Sequence, residues 1–380
     1  MNLRLFFDSI AENDLADWAS SNSLFEQIEY HHADSFPYWQ NADLAFFTVE
    51  SEQFPQSEEL KKDLRGALAK LKPFSKECKL VDLGTLRTGD TLEDTQMRLA
   101  EVCEMLITEN TLPIIIGSAH IWGIGQFLGY QNMEKLISIV NIDAQIDLAD
   151  ETQTLDRQFL YQIFSNHPNY LFDYNHLGYQ RYLNMPKVLQ TLETLSFHAS
   201  SVGEIRSNLQ NTEPVVRLAD MLMFDISALK KQEVPAFAQN APFGLTGEEA
   251  CQLSWYAGLN EKLTSFGLFG NPISTDSSGQ TASVLAIMIW YFIEGVNHRK
   301  AEYSFKSNFH TKYMVPLEEG KHTLVFYKSK VTDKWWMEVG SVDKGTADYD
   351  RFIIIPCSYS DYETANKGEL PERWLRAQDK

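Results

Sequence analysis

The chain is 380 residues long, 44% hydrophobic, and carries a formal net charge of −19. That length buries a large core, as one sizeable α/β domain or two smaller ones. The acidic balance argues against nucleic acid or an anionic membrane surface as the main partner.

Residues 3–7 read as a short strand and residues 14–18 as a helix start. Residues 43–49, DLAFFTV, read as a buried strand, followed by a polar break at 50–57. Helical periodicity with abundant charge covers 57–71, and 79–83 is another short strand. Residues 91–107 predict an amphipathic helix with Met97, Leu99, Val102, Met105 and Leu106 as its apolar positions. Residues 111–117, TLPIIIG, read as a buried strand ending in Gly117-Ser118-Ala119-His120, with a helix starting near Ile121. The β-branched run 137–142 stops abruptly at Asp143-Ala144-Gln145-Ile146-Asp147. This alternation implies parallel strands with crossover helices. An apolar strand ending in carboxylates is how an open α/β sheet presents chemistry, because ligands bind outside the carboxyl ends of parallel strands. Two carboxylates four residues apart can turn toward one hard cation. Taken alone, the same stretch is equally compatible with a solvated turn and a helix cap.

Residues 164–182, rich in Asn, Tyr and His, read as a long ordered loop feeding a short strand. Helices are expected over 186–195 and 200–209, the second with Ser200 or Ser201 as cap and Glu204 in its first turn. Residues 220–226, DMLMFDI, form a strand with Asp225 at its end, and 230–243 a loop. Thr246 with Glu249 three residues on is a capping box opening a helix through Leu259. Residues 264–269 read as a strand and 281–294 as a strongly apolar helix. From residue 302 charged and aromatic residues mix, as in 322–327, 334–339 and 351–355. The expected organisation is an α/β domain over 1–300 and a C-terminal extension over 301–380 packed on it. Trp335-Trp336 are read as packing residues, since aromatic bulk normally goes to cores.

Cys78, Cys103, Cys251 and Cys357 are far apart and show no CxxC spacing, so reduced, mostly buried thiols of an intracellular protein are expected. The apolar start of MNLRLFFDSIAEND is too short for a signal peptide, and the run 282–293 too short for a bilayer. A cytoplasmic protein without membrane insertion is the expectation.

Three strand ends carry polar residues: Gly117-Ser118-Ala119-His120, Asp143-Ala144-Gln145-Ile146-Asp147 and Asp225-Ile226-Ser227. A fourth strand leads into Asn271-Pro272, and Gly279-Gln280-Thr281-Ala282 opens the next helix. In this order they resemble the ureohydrolase family of arginase, agmatinase and formimidoylglutamase, which reads GGDHS, DAHxD, DxD, ExNP and then a helix containing Thr-Ala. Pro242-Phe243-Gly244-Leu245-Thr246 is similar to the family's PGGLT segment. The resemblance covers roughly residues 40–300, and the segment NYLFDYNHLGYQ places formimidoylglutamase nearest. It implies a three-layer α/β/α sandwich with a mainly parallel sheet.

The resemblance also implies a pair of manganese ions sharing a bridging hydroxide. Position by position, His120, Asp143, Asp147 and Asp225 keep the ligand set of one metal. The second would use Asp143, the central His of DAHxD, Asp225 and the last Asp of DxD, where this chain has Gln145 and Ser227. Ala119 stands at the acidic position of GGDHS. Phe269 stands at the Glu of ExNP, which in the family faces the substrate's amidino group. An amide oxygen holds a divalent metal weakly and a serine hydroxyl more weakly still. A dinuclear site makes its nucleophile by lowering the pKa of water held between two cations. The expected reading is a non-catalytic ureohydrolase-fold protein, binding one manganese ion or none. It would act as a structural, regulatory or scaffold subunit through a protein partner or a homo-oligomer. The alternative is a manganese-dependent amidino hydrolase of the formimidoylglutamase or agmatinase type with an altered metal site. Phe243 and Phe269 are expected to narrow the cleft and make it more apolar.

Overall fold

The apolar runs separated by amphipathic helices fold as the strands of one large sheet. In the computed structural model the backbone is described for residues 2–55, 58–148, 155–237, 239–270, 276–300, 302, 309–317, 322–340 and 352–378. The strands are β1 (Phe7–Asp8), β2 (Ile28–Tyr30), β3 (Leu44–Val49), β4 (Leu80–Leu86), β5 (Leu112–Gly117), β6 (Ile137–Ile142), β7 (Leu171–Tyr179), β8 (His198–Ser201), β9 (Met221–Asp225) and β10 (Ser265–Phe269). Their order is β1-β4-β3-β5-β10-β9-β6-β7-β8, with β2 also paired to β4. Every pairing is parallel except β1 with β4.

Successive residues of a strand point to opposite faces, so fully apolar strands require cover on both. Leu44, Phe46, Ile114 and Ile116 pack with Leu64 and Leu68 of the helix Glu58–Ala69, and with the helices Gly247–Leu259 and Gln280–Asn297. Ala45, Phe47 and Ile115 pack on the other face, with the helices Leu92–Thr108, Trp122–Asn132 and Phe159–Ser165. The result is a three-layer α/β/α sandwich. The helices Gly247–Leu259 and Gln280–Asn297 touch backbone to backbone at Gly258 and Gly295, where a Cβ on Gly258 would meet Phe292 O at 2.1 Å. Capping boxes at Thr91, Ser201 and Thr246 start three of the helices.

Two sequence readings change. Residues 3–6 form a 3-10 turn that leads into the two-residue strand β1, with the Asn2 side chain accepting from Arg4 N. The segment read as a loop contains β7, a nine-residue parallel strand. Its Asp173, Asn175 and His176 are buried. Tyr174 OH and His176 Nδ1 lie 3.0 Å apart, and Asn141 Nδ2 donates to Tyr174 OH at 3.2 Å. Polar side chains that bond one another can occupy a buried strand, and composition alone does not reveal this.

After the main sheet, β11 (His310–Leu317), β12 (His322–Ser329), β13 (Trp335–Gly340) and β14 (Phe352–Cys357) form a separate antiparallel sheet in that order. Helices Tyr359–Asn366 and Glu372–Gln378 follow it. Its core includes Val315, Leu324, Phe326, Trp335 and Met337. Trp335 packs against the rings of Tyr313, Tyr359 and Tyr362. Arg217 ties this sheet to the larger one, donating from Nη2 to Trp335 O at 2.9 Å and to Cys357 O at 3.1 Å. All four cysteines are buried and unpaired. No described helix is long and apolar enough to cross a membrane.

Candidate metal centre

Strands β5, β10, β9 and β6 are adjacent, so their carboxyl ends form one edge. Phe269 at the end of β10 is in register with Gly117 of β5 and Asp225 of β9. Past Gly117 the chain turns, pinned by Ser118 Oγ donating to Phe54 O at 2.5 Å and accepting from Trp122 Nε1 at 3.2 Å. This turn delivers His120 beside the carboxylates that follow β6. The turn Asp143 to Asp147 is stapled by Asn184, whose Oδ1 accepts from Ile146 N at 2.8 Å and whose Nδ2 donates to Ala144 O at 3.0 Å.

Four side chains converge. His120 Nδ1 lies 2.8 Å from Asp147 Oδ2, 3.2 Å from Asp143 Oδ2 and 3.9 Å from Asp225 Oδ2. All four residues are buried. The His120 ring stacks on Phe159 with centroids 4.6 Å apart. Burial pushes the Asp147 carboxyl up to about 6 and the Asp225 carboxyl up to about 7, the Asp143 charge adding to each. For Asp143, burial works upward too, but the hydrogen bond and charge of His120 outweigh it and hold the carboxyl below its ordinary value. Burial alone would lower the His120 imidazole; the bonds to Asp143 and Asp147 raise it well above the usual histidine value. Three carboxylates around one nitrogen repel unless protons or a cation neutralise them.

One imidazole nitrogen with three carboxylate oxygens is a fitting donor set for one hard divalent cation. The opposite oxygens are already engaged. Asp143 Oδ1 accepts from Ser227 Oγ at 2.5 Å and from Gln145 N at 3.0 Å, and Asp225 Oδ1 accepts from Ser227 N at 2.8 Å. Gln145 Oε1 is buried without a hydrogen-bond partner among the described residues, a single neutral oxygen on that side. His120 Nε2 is likewise buried without one. Metal-bound histidines normally place their second ring nitrogen on an acceptor, and the neighbouring Ala119 side chain offers none.

The cleft above these residues has a volume of about 460 Å³ and includes Gln145, Arg157, Tyr182 and Asn240 among its walls. Neither Phe243 nor Phe269 narrows it. Phe243 is 67% exposed, and Phe269 turns into the core, where a Cβ on Gly117 or Gly267 would strike its ring. Phe269 therefore offers the cleft no carboxylate and does not fill its space. Asn271-Pro272 lie outside the described residues.

Behind Asp143, its carbonyl oxygen lies 3.0 Å from His176 Nε2. Burial pulls the His176 imidazole down to about 4. A neutral imidazole donating here orients the turn, a role that the sequence reading did not assign to His176. The period-two placement of Tyr174 and His176 was the available signal.

Residues 56–294 match the sequence profile of the arginase family. The chain belongs to that family. Among curated arginase-family relatives, the formimidoylglutamase of Geobacillus sp. (strain WCH70) is 26% identical over 222 residues, covering 54% of this chain and 67% of the relative. That of Clostridium tetani is 22% identical over 243 residues, covering 59% and 71%. Among solved structures, Trypanosoma cruzi formiminoglutamase with Mn2+2 superposes with a TM-score of 0.63 at 17% identity, over 70% of this chain and 97% of the other. Bacillus subtilis formimidoylglutamase superposes with a TM-score of 0.62 at 14% identity, over 72% and 91%. These likenesses establish the arginase fold, with formimidoylglutamase as the nearest branch.

Proposed function

We propose that this arginase-family protein holds one divalent cation, manganese by donor type, on His120, Asp143, Asp147 and Asp225, and does not hydrolyse amidines. The observation that carries this reading is the closure of the second metal position. Ser227 Oγ and Gln145 N occupy the Asp143 oxygen that would bridge to another ion. Phe269, buried away from the cleft, supplies no carboxylate for a cationic substrate head. A single resident cation would neutralise the carboxylate cluster and fix the three strand ends; Asn184 and His176 hold the Asp143–Asp147 turn in place. Fold alone does not carry activity, so the protein's role is that of a structural, regulatory or scaffold subunit in the cytoplasm, acting through a protein partner or a second copy.

A second reading has its own support. The cleft is open, Gln145 Oε1 is unengaged, and the curated relatives are formimidoylglutamases. It makes the chain a manganese-dependent hydrolase with Gln145 as an unorthodox ligand. Elemental analysis after manganese loading, run beside formamide and ammonia release from formimidoylglutamate, separates the two. One ion per chain with background release is expected. Two tightly bound ions with turnover lost in Asp143→Ala would establish the second reading instead.

A further inference from the structure

The helix Gln280–Asn297 is apolar beyond the face it buries. Leu285, Met288, Ile289, Phe292 and Ile293 are buried in the core on that side of the sheet. Val284, Ile287 and Tyr291 form a second apolar stripe, each one turn or so from the next. Ile287 is 38% exposed and Tyr291 39% exposed, and Val284 is half-buried. An outer helix of an α/β/α sandwich ordinarily turns charged and polar residues to solvent, and a helix apolar all round is one that something covers.

The neighbouring helix Gly247–Leu259 supplies the other wall of a groove. The two helices run side by side in the same direction. A Cβ on Gly247 would meet Val284 Cγ1 at 4.0 Å near their starts, and a Cβ on Gly258 would lie 2.9 Å from Gly295 Cα near their ends. The groove has a volume of about 580 Å³ and is lined by Val284, Ile287 and Tyr291 on one side and by Cys251, Gln252 and Trp255 on the other. At the helical rise, Gly247 to Trp255 spans about 12 Å, or about two turns. Its two large rings are already held in place. Trp255 lies against the His298 ring with centroids 5.0 Å apart, and Tyr291 meets Trp290 edge to face at 5.4 Å. Aromatic anchors that are ordered beforehand lose little entropy when a partner covers them.

Glu233 and Glu248 stand on the walls of the same groove, and no Lys, Arg or His residue among the described residues lines it. Neither carboxylate has an ion-pair partner among the described residues. Lys230 and Lys231, the nearest lysines to Glu233 in the chain, do not line the groove. The walls thus carry two negative charges and no positive one. A second copy docking here through the same face would gather four carboxylates and no cation at one contact. A small amine paired with the carboxylates would leave the apolar stripe uncovered.

We propose that this groove docks an amphipathic helix of a basic partner protein. The partner's apolar side chains, spaced i, i+3 or i+4 and i+7, lie on Val284, Ile287, Tyr291 and Trp255, and its Lys or Arg side chains reach Glu233 and Glu248. The net charge of −19 steers such a partner toward the chain. The assignment gives the scaffold reading its partner surface and rests on that reading for its purpose. None of the metal-centre residues lines the groove.

Fluorescence anisotropy of the full chain with a labelled synthetic Leu/Lys peptide, patterned as an amphipathic helix, tests this. The comparisons are the same composition scrambled, and a Leu/Glu peptide with the same apolar stripe. The patterned Leu/Lys peptide is expected to bind saturably, about tenfold or more tighter than the scrambled one, and more weakly as salt rises. The Leu/Glu peptide should not bind. Ile287→Asp places a charge in the middle of the stripe and should weaken binding about tenfold or more, with circular dichroism confirming that the variant is folded. Glu248→Gln should flatten the salt dependence, and it carries the test if Ile287→Asp does not fold. Equal binding of the scrambled peptide, or unchanged binding in both variants, would overturn the assignment. So would sedimentation showing a homo-oligomer that Ile287→Asp dissociates, which would give this face to a second copy. Manganese content and formamide release, read on the same sample, keep the two readings apart. A chain that turns over substrate and still docks the peptide ends the scaffold reading alone. An inactive chain with one ion that ignores the peptide ends the groove assignment alone.

Discussion

Asp143 shows how one residue divides the centre into two unlike sides. Its Oδ2 faces His120, and its Oδ1 is held by Ser227 and Gln145. The protons of the cluster give this division a measurable pH signature. In the folded chain Asp147 and Asp225 keep protons up to about 6 and about 7, above the 3.8 of an unperturbed aspartate. Between those limits the folded state binds more protons than the unfolded state, so these two groups make stability fall as pH rises. His120, raised above 6.5, contributes fully below that value, and its contribution is lost as pH climbs through its folded pKa. Asp143 works the other way: its contribution is present above 3.8 and lost as pH falls through its lowered value. The metal-free protein is therefore expected to lose Tm as pH rises from about 5.5 to 8. Saturating manganese should reverse that slope by replacing the protons. A slope that manganese leaves unchanged would count against the cation site. In a second experiment, Gln145→His with Ser227→Asp is expected to add a second manganese per chain by elemental analysis. Formamide release should stay at background, because Phe269 still provides no substrate carboxylate. Efficient turnover in that double variant would assign Phe269 less weight than it has here.

At the scale of the element, β7 is the part of the fold that depends most on polar packing. Asn141, Tyr174 and His176 form a buried chain that ends on the carbonyl of Asp143. Tyr174→Phe strands one nitrogen of His176 and the amide of Asn141 in the core. A cost of about 1–3 kcal/mol is expected, the penalty for an unsatisfied buried polar group. Urea denaturation measures it, and an unchanged midpoint would show that the network is not a stabilising one. Because the chain of bonds reaches the Asp143 turn, the same variant should also weaken manganese binding. The neighbouring strands were legible in advance for the opposite reason. The runs 43–49, 111–117 and 137–142 are continuous apolar stretches bounded by polar breaks, a pattern that a strand buried on both faces requires.

At the scale of the whole molecule, the C-terminal sheet is wired into the main one rather than appended to it. Removing residues 345–380 takes away β14, both terminal helices and the Cys357 carbonyl that Arg217 uses. It also uncovers Trp335, whose tyrosine partners at 359 and 362 would be gone. Loss of a hydrogen-bond acceptor for a buried charge costs about 1.5–3 kcal/mol, and with β14 and the Trp335 cover also gone this truncation is expected to unfold the C-terminal sheet and to bind a hydrophobic dye. A truncated chain that keeps the full-length Tm would contradict this. A protein interface on the extension is better sought by single changes at exposed apolar positions, such as Met314 and Ile353.

The sequence by itself determined the alternation of strands and helices, the capping boxes, and the polar residues at the strand ends, because each of these is a local pattern of side-chain type and spacing. It also marked Gln145, Ser227 and Phe269 as departures from the family pattern. Only the tertiary structure decided what those departures do. Ser227 closes the far side of Asp143 because parallel pairing of β6 with β9 sets their carboxyl ends side by side, although the two residues are 84 positions apart in the chain. Phe269 leaves the cleft open because glycines at 117 and 267 make room for its ring in the core. Asn184, His176 and Arg217 act across distances that no local pattern encodes. Their roles follow from where the folded backbone leaves carbonyl groups without partners, and that is set by packing rather than by neighbouring residues in sequence.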